Sequence, residues 1–292
     1  MHIRIGTRGS DLALWQAYHV KSQLEKNGNT VSITIIKTQG DKIQDLSFDK
    51  LEGKGFFTKE IETALLTKEV DLAVHSHKDL ETTPPEGLII AAVSEREDPA
   101  ELLLINKKQV GCNLLWDLNQ NASIGTSSAR RKSLVKAHRP DLEIRELRGN
   151  VPTRIQKLRD GNYDSILLAK AGVSRLAIDL SEFHVVELNP KIIVPAPAQG
   201  VLALQIRDHE TELFQEIQKL NNPWVQKQIA IERKVLNLME GGCQLPLGVY
   251  CDSENVYVSY AKQWEAGSKY FVFSYSEKEE LAEEIVSFLK NN

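Results

Sequence analysis

The chain has 292 residues, 41% of them hydrophobic and 26% charged, an ordinary composition for folded globular protein with room for two or three domains. Three cysteines, Cys112, Cys243 and Cys251, are too few and too scattered for a disulfide framework or a zinc cluster, which fits a reducing compartment such as the cytoplasm. The net charge of −4 hides a basic region: residues 126–175 hold twelve Lys and Arg against five Asp and Glu, a surplus suited to meeting anions.

From Met1 the chain enters a strand pattern with no apolar leader, and no run is long enough to span a bilayer, so neither secretion nor membrane insertion is expected. Residues 3–5 predict a strand. Ser10 then caps a helix whose Ala13, Ala17, Val20 and Leu24 recur at helical spacing until Gly28, and 31–37 predict a second strand. Strand, helix, strand points to a parallel α/β layer, in which ligands bind at the carboxyl ends of strands. Arg8 falls on such a loop, although taken alone it is equally a solvated surface charge. Residues 40–57 carry Asp41, Lys42, Asp45, Asp49, Lys50 and Lys54, with Gly53 and Gly55 bracketing the last lysine. They read as a mobile loop that is either passive or closes over an anionic ligand. Ile61, Ala64 and Leu65 mark a helix face. The apolar run 70–74 ends abruptly in His75, Ser76, His77, Lys78 and Asp79, the pattern of a buried strand that delivers polar side chains to a crevice. A carboxylate there suits proton transfer and the holding of a cation formed during reaction, or else a plain turn cap. His75 and His77 lack a third ligand at suitable spacing, so no metal site is expected and His77 reads as a wall residue.

Pro84 and Pro85 precede a strand at 88–93, and the charged stretch 95–99 is expected to cross between domains. Strands at 101–105, 123–125, 143–147 and 164–169, with helices between, predict a second α/β unit. Its loops hold Thr126, Ser127, Ser128, Arg130 and Arg131 at one strand-to-helix junction and Arg148, Gly149 and Asn150 at the next. Arg154 lies one turn into the following helix, and Arg175 lies beyond a further strand. Helix starts and guanidinium forks suit carboxylates. A nucleic-acid patch and ordinary surface charge, the latter for Lys132, Lys136 and Arg159, stay open beside this reading. Few aromatics are interleaved and the arginines gather at successive strand ends, which favours discrete carboxylates.

Residues 195–206, including Gln199, read as a hinge into a strand that returns to the first sheet, a second crossing that suits closure of two lobes on an anion. Asn222 and Pro223 begin a long helix that Gly241 is expected to stop; strands near 247–251, 256–261 and 270–275 and a helix from Glu277 follow. The expected domains are 1–95 with 195–213, 99–194, and 217–292. Cys243 sits past the long helix behind Gly241 and Gly242, which keep bulk away from the sulfur and let a large ligand approach. A covalent attachment point and a small buried hydrophobe both fit a lone intracellular cysteine.

The run Met239-Glu240-Gly241-Gly242-Cys243-Gln244-Leu245-Pro246-Leu247-Gly248, after Glu232-Arg233-Lys234-Val235-Leu236, resembles the cofactor-attachment signature of the porphobilinogen deaminase (hydroxymethylbilane synthase) family. Five further segments resemble that family in the same order: Thr7-Arg8-Gly9-Ser10 with Leu12-Ala13-Leu14-Trp15-Gln16, Gly53-Lys54-Gly55-Phe56-Phe57, His75-Ser76-His77-Lys78-Asp79, Gly125-Thr126-Ser127-Ser128-Ala129-Arg130-Arg131, and Leu147-Arg148-Gly149-Asn150-Val151. The resemblance implies an α/β fold with two periplasmic-binding-protein-like α/β domains plus a small C-terminal α+β domain that carries the cysteine.

It also implies that Cys243 holds a dipyrromethane primer through a thioether, and that the enzyme adds four porphobilinogen molecules to it, releasing ammonia and then linear hydroxymethylbilane. Asp79 is the implied catalyst: it bonds pyrrole N–H groups, assists the departure of ammonia, faces the azafulvenium cation and assists loss of the pyrrole proton. Ser76, Lys78, Thr126, Ser127, Ser128, Arg130, Arg131, Arg148 and Gly149 are the implied cofactor contacts beside Asp79 and Cys243. Arg8, Gln16, Lys54, Arg148, Arg154, Arg175 and Gln199 are the implied substrate contacts. A cytoplasmic monomer that passes its product to uroporphyrinogen-III synthase, with no nucleic-acid or membrane partner, completes the expectation.

Three departures from the family pattern stand out: Leu80-Glu81 where a proline is common after Asp79, Ala198 where a glycine often precedes Gln199-Gly200, and Gln39 in place of a frequent arginine. A non-catalytic polycarboxylate-capturing protein of the same two-lobed fold is the main alternative; it accounts for the arginines and the hinge but not for Cys243.

Overall fold

The computed structural model describes residues 1–42, 57–111, 113–242, 244–278 and 280–292. In chain order the elements are β1 (His2–Thr7), α1 (Asp11–Lys26), β2 (Thr30–Ile35), α2 (Gln39–Lys42), α3 (Lys59–Leu66), β3 (Leu72–Ser76) and β4 (Leu88–Val93). Then follow β5 (Glu101–Asn106), β6 (Ser123–Gly125), α4 (Ala129–His138), β7 (Glu143–Arg145), α5 (Val151–Arg159), β8 (Ser165–Ala169), α6 (Lys170–Leu176) and β9 (Phe183–Leu188). The chain ends with β10 (Leu202–Arg207), α7 (Thr211–Gln218), α8 (Pro223–Leu238), β11 (Leu247–Cys251), β12 (Asn255–Tyr260), β13 (Lys269–Ser274) and α9 (Leu281–Asn291). Among the described residues, 1–42, 57–97 and 198–230 form one compact unit, and those within 98–197 and 231–292 form another.

The first unit is a five-stranded sheet in the order β2-β1-β3-β10-β4. β1 runs parallel to β2 and β3, while β10 is antiparallel to both β3 and β4. Alternation within β1 places Ile3 and Ile5 in the core, where they meet Val20 and Leu24 of α1. Ser10 Oγ accepts from Ala13 N at 3.4 Å to start α1, and Gly28, at φ +85°, turns the chain back into β2. Every residue of β10 is buried, as expected of a strand covered on both faces. Complete burial of a Leu or Ile side chain contributes about 2 kcal/mol, so the cluster of Ile3, Ile5, Leu24, Leu72, Leu204 and Ile206 is a main source of this unit's stability.

The second unit contains a five-stranded sheet in the order β7-β6-β8-β5-β9 and a separate three-stranded sheet, β11-β12-β13. β6 lies parallel to β7 and β8, and β5 is antiparallel to β8 and β9. The smaller sheet is antiparallel throughout, and its Val249 and Val258 pack with Val235 of α8 and with Ile285 and Leu289 of α9. The chain is thus an α/β fold of two mixed sheets with a small C-terminal antiparallel sheet.

Several local features depart from the sequence reading. β9 and α7 are additional elements, and β7 stops at Arg145 because Leu147 N turns aside to donate to Ser127 Oγ at 3.0 Å. The stop of α8 is not made by glycine. Glu240 takes the left-handed conformation at φ +54°, with Gly241 N donating to Leu236 O at 3.2 Å and Glu240 N to Asn237 O at 2.9 Å, the two bonds of a Schellman turn. No helix among the described residues is long and apolar enough to cross a membrane.

Candidate active site

In the first unit, parallel β1 and β3 end at the same sheet edge, and antiparallel β10 begins there, with Leu202 opposite Ser76. Arg8 after β1, Ser76 to Asp79 at the end of β3, and Gln199 before β10 therefore converge although they are far apart in sequence. The backbone past β3 forms a single 3-10 turn over His77–Asp79, anchored by His77 N donating to Val201 O at 2.9 Å. This turn leaves Asp79 exposed while His77 is buried. Around it, Lys78 Nζ donates to Gln199 Oε1 at 3.1 Å, Arg96 Nε donates to Gln199 O at 3.0 Å, and Gln16 Nε2 donates to Ser76 Oγ at 2.8 Å. The Arg8 guanidinium sits 4.1 Å from the centre of the Phe57 ring, a cation–π contact that orients the long side chain.

Behind this edge lies a buried polar chain. His75 Nε2 is 3.1 Å from Gln205 Oε1, and Gln205 Nε2 donates to Glu62 Oε1 at 3.0 Å. The amide oxygen can only accept, so His75 carries its proton on Nε2. Burial, reinforced by the Arg8 charge, holds the His75 imidazole down at about 4, while burial pushes the Glu62 carboxyl up.

The second unit repeats the edge logic. β6, β7 and β8 finish at one edge, and β5 starts there with Glu101 opposite Ala169. After β6, Thr126 N bonds Arg145 O at 2.9 Å. Ser127 Oγ both donates to Leu147 O at 2.9 Å and accepts from Leu147 N, and Ser128 Oγ caps α4. The hydroxyls of Ser127 and Ser128 thus latch two loops and start a helix. Arg130 and Arg131 follow in the first turn of α4, buried, with their terminal nitrogens on the two oxygens of one carboxylate. Arg130 Nη2 donates to Glu101 Oε1 at 2.5 Å and Arg131 Nη2 to Glu101 Oε2 at 2.7 Å. Each has a second anchor on a carbonyl, Val194 O at 2.9 Å and Leu167 O at 3.0 Å. Burial lowers the Arg130 pKa, with Glu101 opposing the shift.

Beyond β7, Gly149 stands at φ +116°, with Thr153 filling the space where a Cβ would lie. Asn150 Oδ1 accepts from Thr153 N at 2.9 Å to cap α5. Arg148 is half-buried, Arg154 Nε donates to Gly149 O at 2.7 Å, and Arg175 is buried within α6. This edge can present several guanidinium groups to a ligand that bears several carboxylates.

Cys243 and Lys54 lie outside the described residues, as do Cys112 and most of the loop expected at 40–57. Cys251 is buried in the small sheet, where its thiol donates to Asp252 O at 3.4 Å, as an inert structural cysteine does. No group of three metal-ligating side chains occurs among the described residues. Sequence reading missed Glu101 and the chain His75–Gln205–Glu62. Glu101 carried a signal, an acid opening an otherwise apolar strand, but its partners are 29 and 30 residues away.

The protein family described as "Porphobilinogen deaminase, dipyromethane cofactor binding domain" matches residues 3–215. A porphobilinogen deaminase of Oceanobacillus iheyensis is 45% identical over 259 residues, covering 87% of this chain and 82% of that protein. One of Syntrophomonas wolfei is 46% identical over 250 residues, covering 84% and 79%. Among solved structures, a probable amino-acid ABC transporter extracellular-binding protein of Bacillus subtilis aligns over 75% of this chain and 90% of its own, with 12% identity and a TM-score of 0.47.

Proposed function

This chain belongs to the porphobilinogen deaminase family, and from that premise we propose that Asp79 is its catalytic carboxylate and Cys243 the attachment point of its dipyrromethane. The protein is a transferase of tetrapyrrole biosynthesis that condenses four porphobilinogen molecules into hydroxymethylbilane and releases ammonia. When bound, the dipyrromethane supplies the nucleophilic pyrrole carbon to which substrate is joined.

The residues present fit such a group. Its acetate and propionate arms need cationic donors, and the second sheet edge offers Arg130, Arg131, Arg148, Arg154 and Arg175, with Arg131 Nε a buried donor that lacks an acceptor among the described residues. Thr126, Ser127, Ser128 and Gly149 serve the cofactor at this edge, where the Ser127 and Ser128 hydroxyls set the loops. Arg148 serves cofactor and substrate, and Arg154 and Arg175 take substrate carboxylates.

At the other edge Asp79 faces the cation that forms when the aminomethyl nitrogen of porphobilinogen leaves. A fixed carboxylate stabilises developing positive charge without reorganising, and it can accept the proton lost from the pyrrole carbon after coupling. Arg8, Gln16, Lys54 and Gln199 serve the substrate, and Ser76 and Lys78 serve the primer. The observation that carries this reading is the exposed carboxylate of Asp79 held by a buried strand beside Lys78, Gln199 and Arg8. We further infer three domains, 1–95 with 195–213, 99–194 and 217–292, and a cytoplasmic monomer whose product passes to uroporphyrinogen-III synthase.

Intact mass of the denatured protein, with peptide mapping around Cys243, tests the assignment. An excess equal to two linked pyrrole units on Cys243 supports it. An unmodified protein that gains no mass when incubated with porphobilinogen overturns it.

A further inference from the structure

Glu101 is fully buried at the start of β5, yet it carries a charge and is shared by two arginines. Arg130 and Arg131 occupy the first turn of α4, where the helix dipole disfavours cations and where α4 has no acidic residue of its own. Without an anion from elsewhere, two buried guanidinium groups side by side would repel each other and swing toward water. Glu101 comes from a neighbouring strand at the same sheet edge and supplies one oxygen to each head, while Val194 O and Leu167 O hold the other ends. Each guanidinium plane is therefore fixed at two points. The cluster still holds two positive charges against one negative, and Arg131 Nε remains without an acceptor among the described residues. An arrangement this rigid and one negative charge short is organised to receive a carboxylate.

We propose that Glu101 is a positioning residue for primer capture: by clamping Arg130 and Arg131, it sets the guanidinium pair that receives a carboxylate of the dipyrromethane. The proposal rests on the reading that these two arginines serve the cofactor. Glu101 itself touches neither primer nor substrate.

The test uses full-length protein made in cells that cannot synthesise porphobilinogen, to which porphobilinogen is then added while intact mass is followed. Glu101→Gln is expected to load primer at least about tenfold more slowly than wild type, as is Arg130→Met. The double variant is expected to load no more slowly than the worse single one, because Glu101 acts through the arginine; independent effects would multiply to about a hundredfold. Turnover per loaded molecule is expected to change less than about threefold in Glu101→Gln, a split that general loss of stability does not produce. Should Glu101→Gln not fold, Glu101→Asp, which keeps the charge but shortens the reach, carries the same cycle. Wild-type loading in the Glu101 variant alongside slow loading in Arg130→Met overturns the proposal alone, as do multiplicative losses. Wild-type loading in both Arg130→Met and Arg131→Met overturns the cofactor role of the arginines, and the proposal with it.

Discussion

Gly200 lies so close to Glu97 that a Cβ built on it would come 2.2 Å from the Glu97 carbonyl oxygen, and its φ of +90° is left-handed. Gly200→Ala must therefore move backbone, not a flexible side chain, and a loss of about 3 kcal/mol is expected from overpacking and the left-handed penalty together. Because Gln199 precedes it and bonds Lys78, turnover falls as well. Ala198, two residues earlier, makes the contrast. It also has a left-handed φ, +60°, which accounts for the glycine common there in the family, but its methyl is buried against Val93, Val201, Val225 and Ile229. Relief of about 1 kcal/mol of strain and loss of about 0.8 kcal/mol of burial nearly cancel. Thermal unfolding should show Ala198→Gly within about 1 kcal/mol of wild type and Gly200→Ala far below it.

Asp79→Asn keeps the shape of the side chain and removes its charge. Since Asp79 is exposed, stability should stay within about 0.5 kcal/mol of wild type. Turnover should fall by about a hundredfold or more, because the carboxylate that faces the substrate-derived cation is gone. Steady-state kinetics with porphobilinogen decide the point, and near-normal kcat would remove Asp79 from the central role.

The parts of this structure legible in the sequence are those set by local rules. β6 and β11 match their predicted residues because apolar runs and turn residues bound them sharply, and Ser10, Ser128 and Asn150 all act at helix starts. The convergence of Arg8, Asp79 and Gln199 at one edge was legible only in part, since it depends on β10 entering the sheet antiparallel between β3 and β4. Long-range pairing hid the remainder. Nothing near Arg130 announces that Glu101 will bind it, and nothing near His75 announces Gln205, 130 residues away. Glu240 shows the opposite limit: two glycines beside it invited the left-handed assignment, yet the backbone placed that conformation on the glutamate.

The cysteines separate by environment. Cys251 is buried in the small sheet among Val249, Val256 and Val258, so Cys251→Ala should cost about 1 kcal/mol of stability and leave the pyrrole adduct intact. Cys243→Ala should abolish the adduct. Mass spectrometry of both variants after incubation with porphobilinogen checks this, and an adduct surviving in Cys243→Ala would refute the attachment site.

His75 makes the protein's stability depend on pH in a direction fixed by its burial. Its pKa is depressed to about 4 by burial, with the Arg8 charge adding to the shift and the hydrogen bond from Nε2 to Gln205 Oε1 opposing it. In the unfolded chain an imidazole titrates near 6.5, so below that value the unfolded state binds a proton that the native state refuses. The stabilisation is complete above about pH 6.5 and is lost progressively as pH falls toward 4. Between pH 7 and pH 5 the loss from this one group is about 2 kcal/mol. Glu62, with its carboxyl pushed up by burial, works in the opposite sense and must be held constant. Replacing His75 with Gln leaves Glu62 and Arg8 in place and removes the titration. Denaturant unfolding at the two pH values should then show a stability gap about 2 kcal/mol smaller in His75→Gln than in wild type. An unchanged gap would mean that His75 takes up its second proton in the native state despite its burial and the nearby Arg8 charge.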